Sequence, residues 1–184
     1  MLCLLEDKKR SMREASKMSN NINKNFFINS FIIFSIFCLD RLSKIYVINF
    51  HEKNYGSDLY NSKFLNISLI WNEGIAFGLF SFSDKFFYHI LTFFIGVVIL
   101  IILIMLNKSE GLKKYSLLMI LGGALGNFYD RVFFEAVPDF IDFHVENFHW
   151  FIFNVSDIFI SLGVILMIIL EIISNKKETL NEKN

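Results

Sequence analysis

The sequence has very little of the residues that bend or cross-link a chain. It contains one proline, nine glycines and two cysteines among 184 residues. This composition predicts few or short loops. Cys3 lies in a charged N-terminal segment, Cys38 lies inside the first apolar run, and neither has the spacing of a metal ligand. We therefore expect no disulfide and no zinc site at the cysteines.

The chain also lacks net charge and the short motifs of several enzyme classes. Its 18 Lys and Arg residues balance 18 Asp and Glu residues, which argues against a nucleic acid partner. The sequence has no HExxH, GxSxG, P-loop or GxGxxG pattern, so the usual zinc-peptidase, serine-hydrolase and nucleotide-binding motifs are absent. His144 and His149 are five residues apart in what we expect to be a solvent-exposed loop. We expect neither a metal nor another cofactor.

Apolar residues are abundant instead. Hydrophobic residues make up 54% of the chain and aromatic residues 17%, with 23 phenylalanines. A soluble domain of this size has too little interior to bury so much apolar surface. Four runs approach the roughly 20 residues that a membrane span requires, at about 26–48, 86–106, 115–134 and 155–173. The predicted fold is an all-α membrane protein with four transmembrane helices: a charged tail (1–25), a four-span membrane domain (26–174) and a second tail (175–184).

The distribution of basic residues predicts the orientation. Twelve of the 18 Lys and Arg residues lie in the N-terminal tail, the loop between the second and third spans, and the C-terminal tail. By the positive-inside rule, both termini are cytoplasmic. The first outer loop then covers residues 49–85. Within it, apolar residues alternate from Leu65 to Trp71, which predicts a strand.

Charged residues intrude on the first span near its outer end. An ionisable side chain within a span costs at least a few kcal/mol and therefore indicates function by default. Asp40 and Lys44 are four residues apart and share a helix face, so they form either a salt bridge that anchors the helix end or part of a site. Ser43 and Lys44 are adjacent and point about 100° apart on a helix, which disfavours a Ser/Lys nucleophile pair.

The third span combines small and polar residues. The small residues at 122–124 and 126 predict close packing against another helix. Asn127 and Arg131 are four residues apart, and Asp130 adjoins Arg131. One interpretation is a structural polar cluster in which Arg131 holds Asp130 ionised.

Two acids stand near the outer ends of the third and fourth spans. Asp139 follows the only proline, and Asp157 lies in the first turn of the fourth span. Taken singly, Asp139 is a solvated loop acid and Asp157 is an acid at a helix start, where the helix dipole favours it. Taken together, two close carboxylates share a proton. One can then take a proton from water while the other polarises a peptide carbonyl. From the residues alone, Asp142 remains an alternative to Asp139.

Several other side chains on the same side could orient the backbone of a peptide: Asn72, Asn127, Arg131 and Asn154. Two further functions remain open. A transporter or channel would use the acids as a proton or ion relay, but the inner halves of the first, third and fourth spans offer only Glu171 to continue such a route. A non-catalytic scaffold would use the acids only to cap helices.

Five stretches of the sequence resemble those of the bacterial lipoprotein signal peptidase family, also called signal peptidase II. They are LDRLSK (39–44), WNEGIAFGLF (71–80), GGALGNFYDR (122–131), VPDFIDF (137–143) and FNVSD (153–157). Each is weak alone, but the ordered set is specific. The chain departs from the family at Arg41, where Gln is usual, and also at Pro138 and Ser156. Arg41 brings an additional positive charge near the expected site.

The resemblance implies an intramembrane aspartic endopeptidase. Such an enzyme removes signal peptides from diacylglyceryl-modified prolipoproteins by cleavage before the lipidated cysteine. The resemblance assigns catalysis to Asp139 and Asp157, and supporting roles to Asp40, Lys44, Asn72, Asn127, Arg131 and Asn154. It also implies a small β-rich extracytoplasmic cradle from the first outer loop, contact with membrane lipid, and inhibition by globomycin. We expect a monomer in the bacterial plasma (inner) membrane with its active site near the outer face.

Overall fold

The structure is a computed structural model that describes residues 2–74, 85–146 and 148–181. Over these residues the chain forms helices α1 (Leu2–Lys53), α2 (Lys85–Lys108), α3 (Gly111–Phe134) and α4 (Val155–Asn181), and strands β1 (Tyr60–Asn61), β2 (Leu65–Asn72), β3 (Val137–Val145) and β4 (Phe148–Phe153). The chain divides into two compact units, Met1–Ile32 and Ile33–Asn184. All candidate site residues belong to the second unit.

Three helices of the described chain are long and apolar enough to cross a membrane: Tyr88–Lys108, Gly111–Phe134 and Val155–Lys176. They coincide with the last three predicted spans. Large apolar side chains on α2 and α4, such as Phe93, Ile104 and Ile168, are exposed, as expected for a surface that contacts lipid rather than water. The run at 26–48 lies within α1, as do residues 2–25 of the charged tail. The count of four spans remains a prediction.

Small residues allow α3 and α4 to approach closely. A Cβ atom added to Gly123 would lie 2.5 Å from the carbonyl oxygen of Ser156, and one added to Gly163 would lie 2.7 Å from that of Ser116. Neither backbone oxygen can move away cheaply, because it belongs to a helix. The close packing predicted for the small residues of the third span is therefore present.

A four-stranded antiparallel sheet has the order β1-β2-β3-β4. The first outer loop supplies β1 and β2, as expected, and the segment between α3 and α4 adds β3 and β4, which the sequence did not predict. His144 and His149 accordingly lie on these strands rather than in a loop. Local sequence patterns do not predict β3, because its pairing with β2 joins residues about 70 positions apart, such as Asn72 and Val137.

The end of α3 places β3 against the helix bundle. Glu135 adopts a left-handed conformation (φ 54°, ψ 16°) at the helix C-cap, which stops the helix and reverses the chain. Strand β3 begins two residues later at Val137. Asp139 consequently lies close to the C-terminal end of α3 and pairs with Ile70 near the end of β2.

We expect Gly123→Ala to lower the free energy of unfolding by about 1–3 kcal/mol, because the added methyl group collides with the α4 backbone. Thermal unfolding in detergent would measure the change. Gly96→Ala is a matched control on α2, where the new atom meets only the Phe128 ring at 3.4 Å and helix propensity gains up to about 1 kcal/mol. An equal loss of stability in both variants would contradict this packing argument.

Candidate active site

Asp139 is held by two side-chain amides at the start of β3. Its side chain is buried, with 4% of the residue exposed. Its Oδ2 accepts a hydrogen bond from Asn72 Nδ2 at 2.9 Å, and its Oδ1 accepts one from Asn154 Nδ2 at 2.6 Å. Asn72 reaches Asp139 because it pairs with Val137 across the two strands, and diagonal neighbours on one face of a sheet are close enough to touch.

Asp157 takes part in a reciprocal helix cap. The backbone N–H of Asn154 donates to Asp157 Oδ2, and the backbone N–H of Asp157 donates to Asn154 Oδ1, both at 3.1 Å. This is the capping-box arrangement, with Asn and Asp in place of the more common residues. Asn127 Nδ2 donates to the remaining oxygen, Asp157 Oδ1, at 2.7 Å. The helix-start interpretation of Asp157 is therefore correct, and it is compatible with a second role.

The structure brings Asn72, Asn127 and Asn154 together, each with its amide NH2 group directed at an aspartate. The opposite end of each amide fixes this orientation, because the amide oxygen already accepts a hydrogen bond. The donors are the backbone N–H of Gly74, Lys44 Nζ and the backbone N–H of Asp157, respectively. Rotating any of these amides by 180° would bring two donors together. The site thus presents fixed donors to both carboxylates.

Burial and mutual repulsion make Asp139 a weaker acid than a free aspartic acid. Burial is the larger cause and the negative charge of Asp157 is the second, and together they raise the pKa of Asp139 to about 6. The hydrogen bonds from Asn72 and Asn154 act in the opposite direction because they favour the ionised form. Asp139 therefore keeps its proton to a higher pH than a free aspartic acid does.

Behind Asn127 lies a buried cluster of four charged residues: Asp40, Arg41, Lys44 and Asp130. Lys44 Nζ contacts Asp40 at 2.9 Å and Asp130 at 2.7 Å. The guanidinium of Arg41 bonds the same two carboxylates and lies 4.9 Å from the centre of the Tyr129 ring. The two positive and two negative charges compensate each other, so Arg41 adds no net charge to the site.

This cluster corrects one sequence interpretation. Asp130 is bound by Arg41 and Lys44, not by the adjacent Arg131. Arg131 instead donates from Nη2 to the carbonyl oxygen of Gly74 at 2.8 Å. Its Nε and Nη1 atoms are buried and have no hydrogen-bond partner within the described residues. Ser43 Oγ donates to the Asp40 carbonyl, in keeping with the argument against a Ser43–Lys44 pair.

A cavity of about 350 Å³ contains both aspartates. One wall is polar and the other is formed by apolar side chains of α2 and α4. The lining residues are Asn72, Leu91, Ile95, Ala124, Asn127, Arg131, Val137, Asp139, Asp157, Ile160 and Ser161. Asp142 is not among them. It is three residues from Asp139 on β3 and therefore faces the other side of the sheet, where it bonds His149. Lys44 and Asp40 lie behind the cavity, and Asn154 bonds both aspartates.

Sequence reasoning did not predict several features of the site. The pairing of Arg41 with Asp130 is one of them. Its signal in the sequence is that two opposite charges in separate apolar runs are each costly until they pair. Leu91 and Ile95 were not expected to line the site, because nothing distinguishes them from other apolar residues of α2. Residues 75–80 of the stretch WNEGIAFGLF lie outside the described residues.

Comparisons with known proteins identify the family of the chain. The family described as Signal peptidase (SPase) II matches residues 32–173. The chain is 49% identical to the lipoprotein signal peptidase of Pelagibacter ubique (strain HTCC1062) over 166 residues, 90% of this chain and 99% of that protein. It is 30% identical to the lipoprotein signal peptidase of Anaplasma marginale (strain Florida) over 154 residues, 84% of this chain and 89% of that protein.

Solved structures share the fold. A bacterial membrane enzyme determined by the in meso method at 2.3 Å resolution superimposes with a TM-score of 0.63 and 27% identity, covering 82% of this chain and 90% of that chain. A second one, at 1.9 Å, gives a TM-score of 0.58 and 28% identity over 78% of this chain and 91% of that chain.

We expect Lys44→Met to lower the free energy of unfolding by about 3–5 kcal/mol, because Asp40 and Asp130 would remain buried with too little positive charge. Lys113→Met is the matched control. Lys113 pairs with Glu171, but their side chains are 48% and 56% exposed, and such pairs contribute at most about 1 kcal/mol. Thermal or denaturant unfolding of both purified variants measures the difference. Similar losses would contradict the proposed importance of the buried cluster.

Proposed function

Because the chain belongs to the signal peptidase II family, we propose that it is an aspartic endopeptidase that removes signal peptides from prolipoproteins. The observation that supports the aspartic mechanism most directly is the position of Asp139 and Asp157. Both carboxylates line one cavity, and both are bound by Asn154, one through its side chain and one through its backbone.

The proposed reaction uses one proton shared by the pair. The ionised carboxylate accepts a proton from a water molecule as that water attacks the peptide carbonyl carbon. The protonated carboxylic acid donates a hydrogen bond to the carbonyl oxygen, where negative charge develops. The raised pKa of Asp139 supports a singly protonated pair. The two carboxylates titrate as a unit, so the proton belongs to the pair rather than to one residue.

Arg131 is proposed to bind the substrate backbone. Its Nε and Nη1 donors have no partner among the residues that the structure describes. These donors and the position of Arg131 in the cavity wall suit a peptide carbonyl oxygen. The apolar wall, which includes Leu91, Ile95 and Ile160, suits an apolar signal peptide or an acyl chain. The proposed substrates are diacylglyceryl-modified prolipoproteins cut before the lipidated cysteine, and a globomycin-type inhibitor would compete for the same cavity.

The proposed setting is the bacterial plasma membrane. In this arrangement α1 supplies a fourth span, both termini are cytoplasmic, and the cavity opens near the outer face, where a translocated signal peptide ends its crossing. The enzyme would act as a monomer in contact with membrane lipid. Tests of the chemistry do not depend on this topology, because they use detergent-purified protein.

We expect Asp139→Asn and Asp157→Asn each to reduce processing of a lipidated prolipoprotein at least about 100-fold, because each removes one half of the proton transfer. The assay uses purified protein and follows release of the signal peptide. Asp58→Asn, at an exposed acid, is the control and should retain full activity.

Three outcomes would contradict the proposal. The first is normal processing by either variant, and the second is no processing by the purified wild-type protein. The third is that Asp142→Asn loses processing activity while Asp139→Asn keeps it. The last would transfer the role to the alternative carboxylate. Helix content by circular dichroism verifies that each variant is folded.

We expect Asn72→Ala to move the alkaline limb of the pH–activity profile to higher pH. Asn72 donates to Asp139 Oδ2, and a donor to a carboxylate lowers its pKa, so removing it raises the upper apparent pKa of the pair. A hydrogen bond to a charged group contributes about 1.5–3 kcal/mol, which corresponds to a shift of about one to two pH units.

Asn66→Ala is the matched control for this shift. Asn66 lies on the same strand and accepts a hydrogen bond from the Ser62 backbone at 3.3 Å, and it does not line the cavity. Its profile should coincide with that of the wild type. An unmoved limb in Asn72→Ala, or a shift to lower pH, would contradict the assigned effect of Asn72 on Asp139.

A further inference from the structure

The hairpin of β3 and β4 carries a second polar cluster, separate from the cavity. Asp142 and His144 are two residues apart on β3 and therefore lie on the same face. His149 on β4 pairs with His144. The register of the two strands shifts between Phe143 and His144, which leaves one extra residue on β4.

This irregularity determines where His149 points. Phe143 pairs with Phe151, so an unbroken ladder would pair Val145 with His149 and place His149 on the opposite face from Asp142. The bulge moves His149 by one position and brings it onto the face of Asp142 and His144. Bulges of this kind redirect single side chains and are frequent near functional sites.

The three side chains converge closely. His149 Nδ1 lies 2.8 Å and His144 Nδ1 lies 3.8 Å from Asp142 Oδ2. The imidazole rings are stacked with their centres 5.2 Å apart. One ligand atom from each of the three residues lies within 4.8 Å of the other two. Ligands of a tetrahedral zinc ion are about 3.3 Å apart, given metal–ligand distances near 2.0–2.2 Å, so small side-chain rotations suffice.

Two buried polar atoms of the cluster lack partners. Asp142 Oδ1 and His144 Nδ1 are buried with no hydrogen-bond partner among the residues that the structure describes. Asp142 is 3% exposed, and the side chain of His144 is 9% exposed. Buried polar groups without partners are rare and require an explanation. A cation held between a carboxylate and two imidazoles would satisfy both atoms.

We propose that Asp142, His144 and His149 bind one divalent transition-metal ion, of which Zn²⁺ is the first to test. Two imidazoles and one carboxylate are ligands that this class of ion prefers. His149 is half-exposed, with 51% of its side chain accessible, and provides the route of entry. The ion would cross-link β3, which carries Asp139, to β4, which ends immediately before Asn154. It would brace the hairpin and take no part in hydrolysis.

The test uses full-length protein purified in detergent without a polyhistidine tag and treated with a chelator. Titration with Zn²⁺ followed by calorimetry should give one ion per chain, and Co²⁺ should develop the visible absorption of an imidazole–carboxylate site. His144→Gln and His149→Gln should each weaken binding at least about tenfold, since even residues outside the ligand shell affect affinity 10- to 100-fold. Zn²⁺ should raise the melting temperature of the wild type but not that of either hairpin variant.

His89→Gln is the matched control, because His89 lies on α2 and should leave the affinity for Zn²⁺ unchanged. The proposal is overturned if the wild type does not bind Zn²⁺, if either hairpin variant binds with wild-type affinity, or if His89→Gln weakens binding equally. The wild-type measurement requires no variant to fold. None of these measurements depends on peptidase activity, so the metal site and the proposed reaction can fail separately.

Discussion

The polar part of the protein depends on one interaction, the pairing of the buried Lys44 ammonium group with the carboxylates of Asp40 and Asp130. Lys44 contacts Asp40 on its own helix, and Asp130 and Asn127 on α3, and only 1% of the residue is exposed. A charge in this position is stable only if it is fully paired, so α1 and α3 must keep their register. Gly126 permits it, because a side chain there would collide with Asp40. Through Asn127 the same constraint reaches Asp157.

The two aspartates are held by different kinds of structure. Asp157 lies in the first turn of a helix, where its cap fixes the carboxylate to the backbone of Asn154. Asp139 lies on a strand and is held by side-chain amides. Asn154 joins them because it is the single residue between the end of β4 and the start of α4. This arrangement orients both carboxylates before a substrate binds, which is the condition for efficient proton transfer.

The sequence predicts eight candidate residues. Hydrogen bonds join seven of them in the structure, and Arg131 lines the same cavity and bonds the Gly74 carbonyl. Their roles in catalysis remain predictions. The resemblance to the family assigns this set, and for several members the cost of a polar residue in an apolar run is a second signal. The partners of individual residues were less predictable. Asp130 bonds Arg41 and Lys44 rather than its neighbour Arg131, since helix geometry turns adjacent side chains about 100° apart.

The sequence by itself determined the apolar helices, the family and the candidate carboxylates, because hydrophobic runs and rare intramembrane charges are local signals. Only the tertiary structure decided which strands pair, which asparagine oxygen faces which donor, and which face of the sheet His149 occupies. Those features depend on contacts between residues distant in the chain. A one-residue shift in strand register reverses the outcome for His149, and no local pattern in the sequence records such a shift.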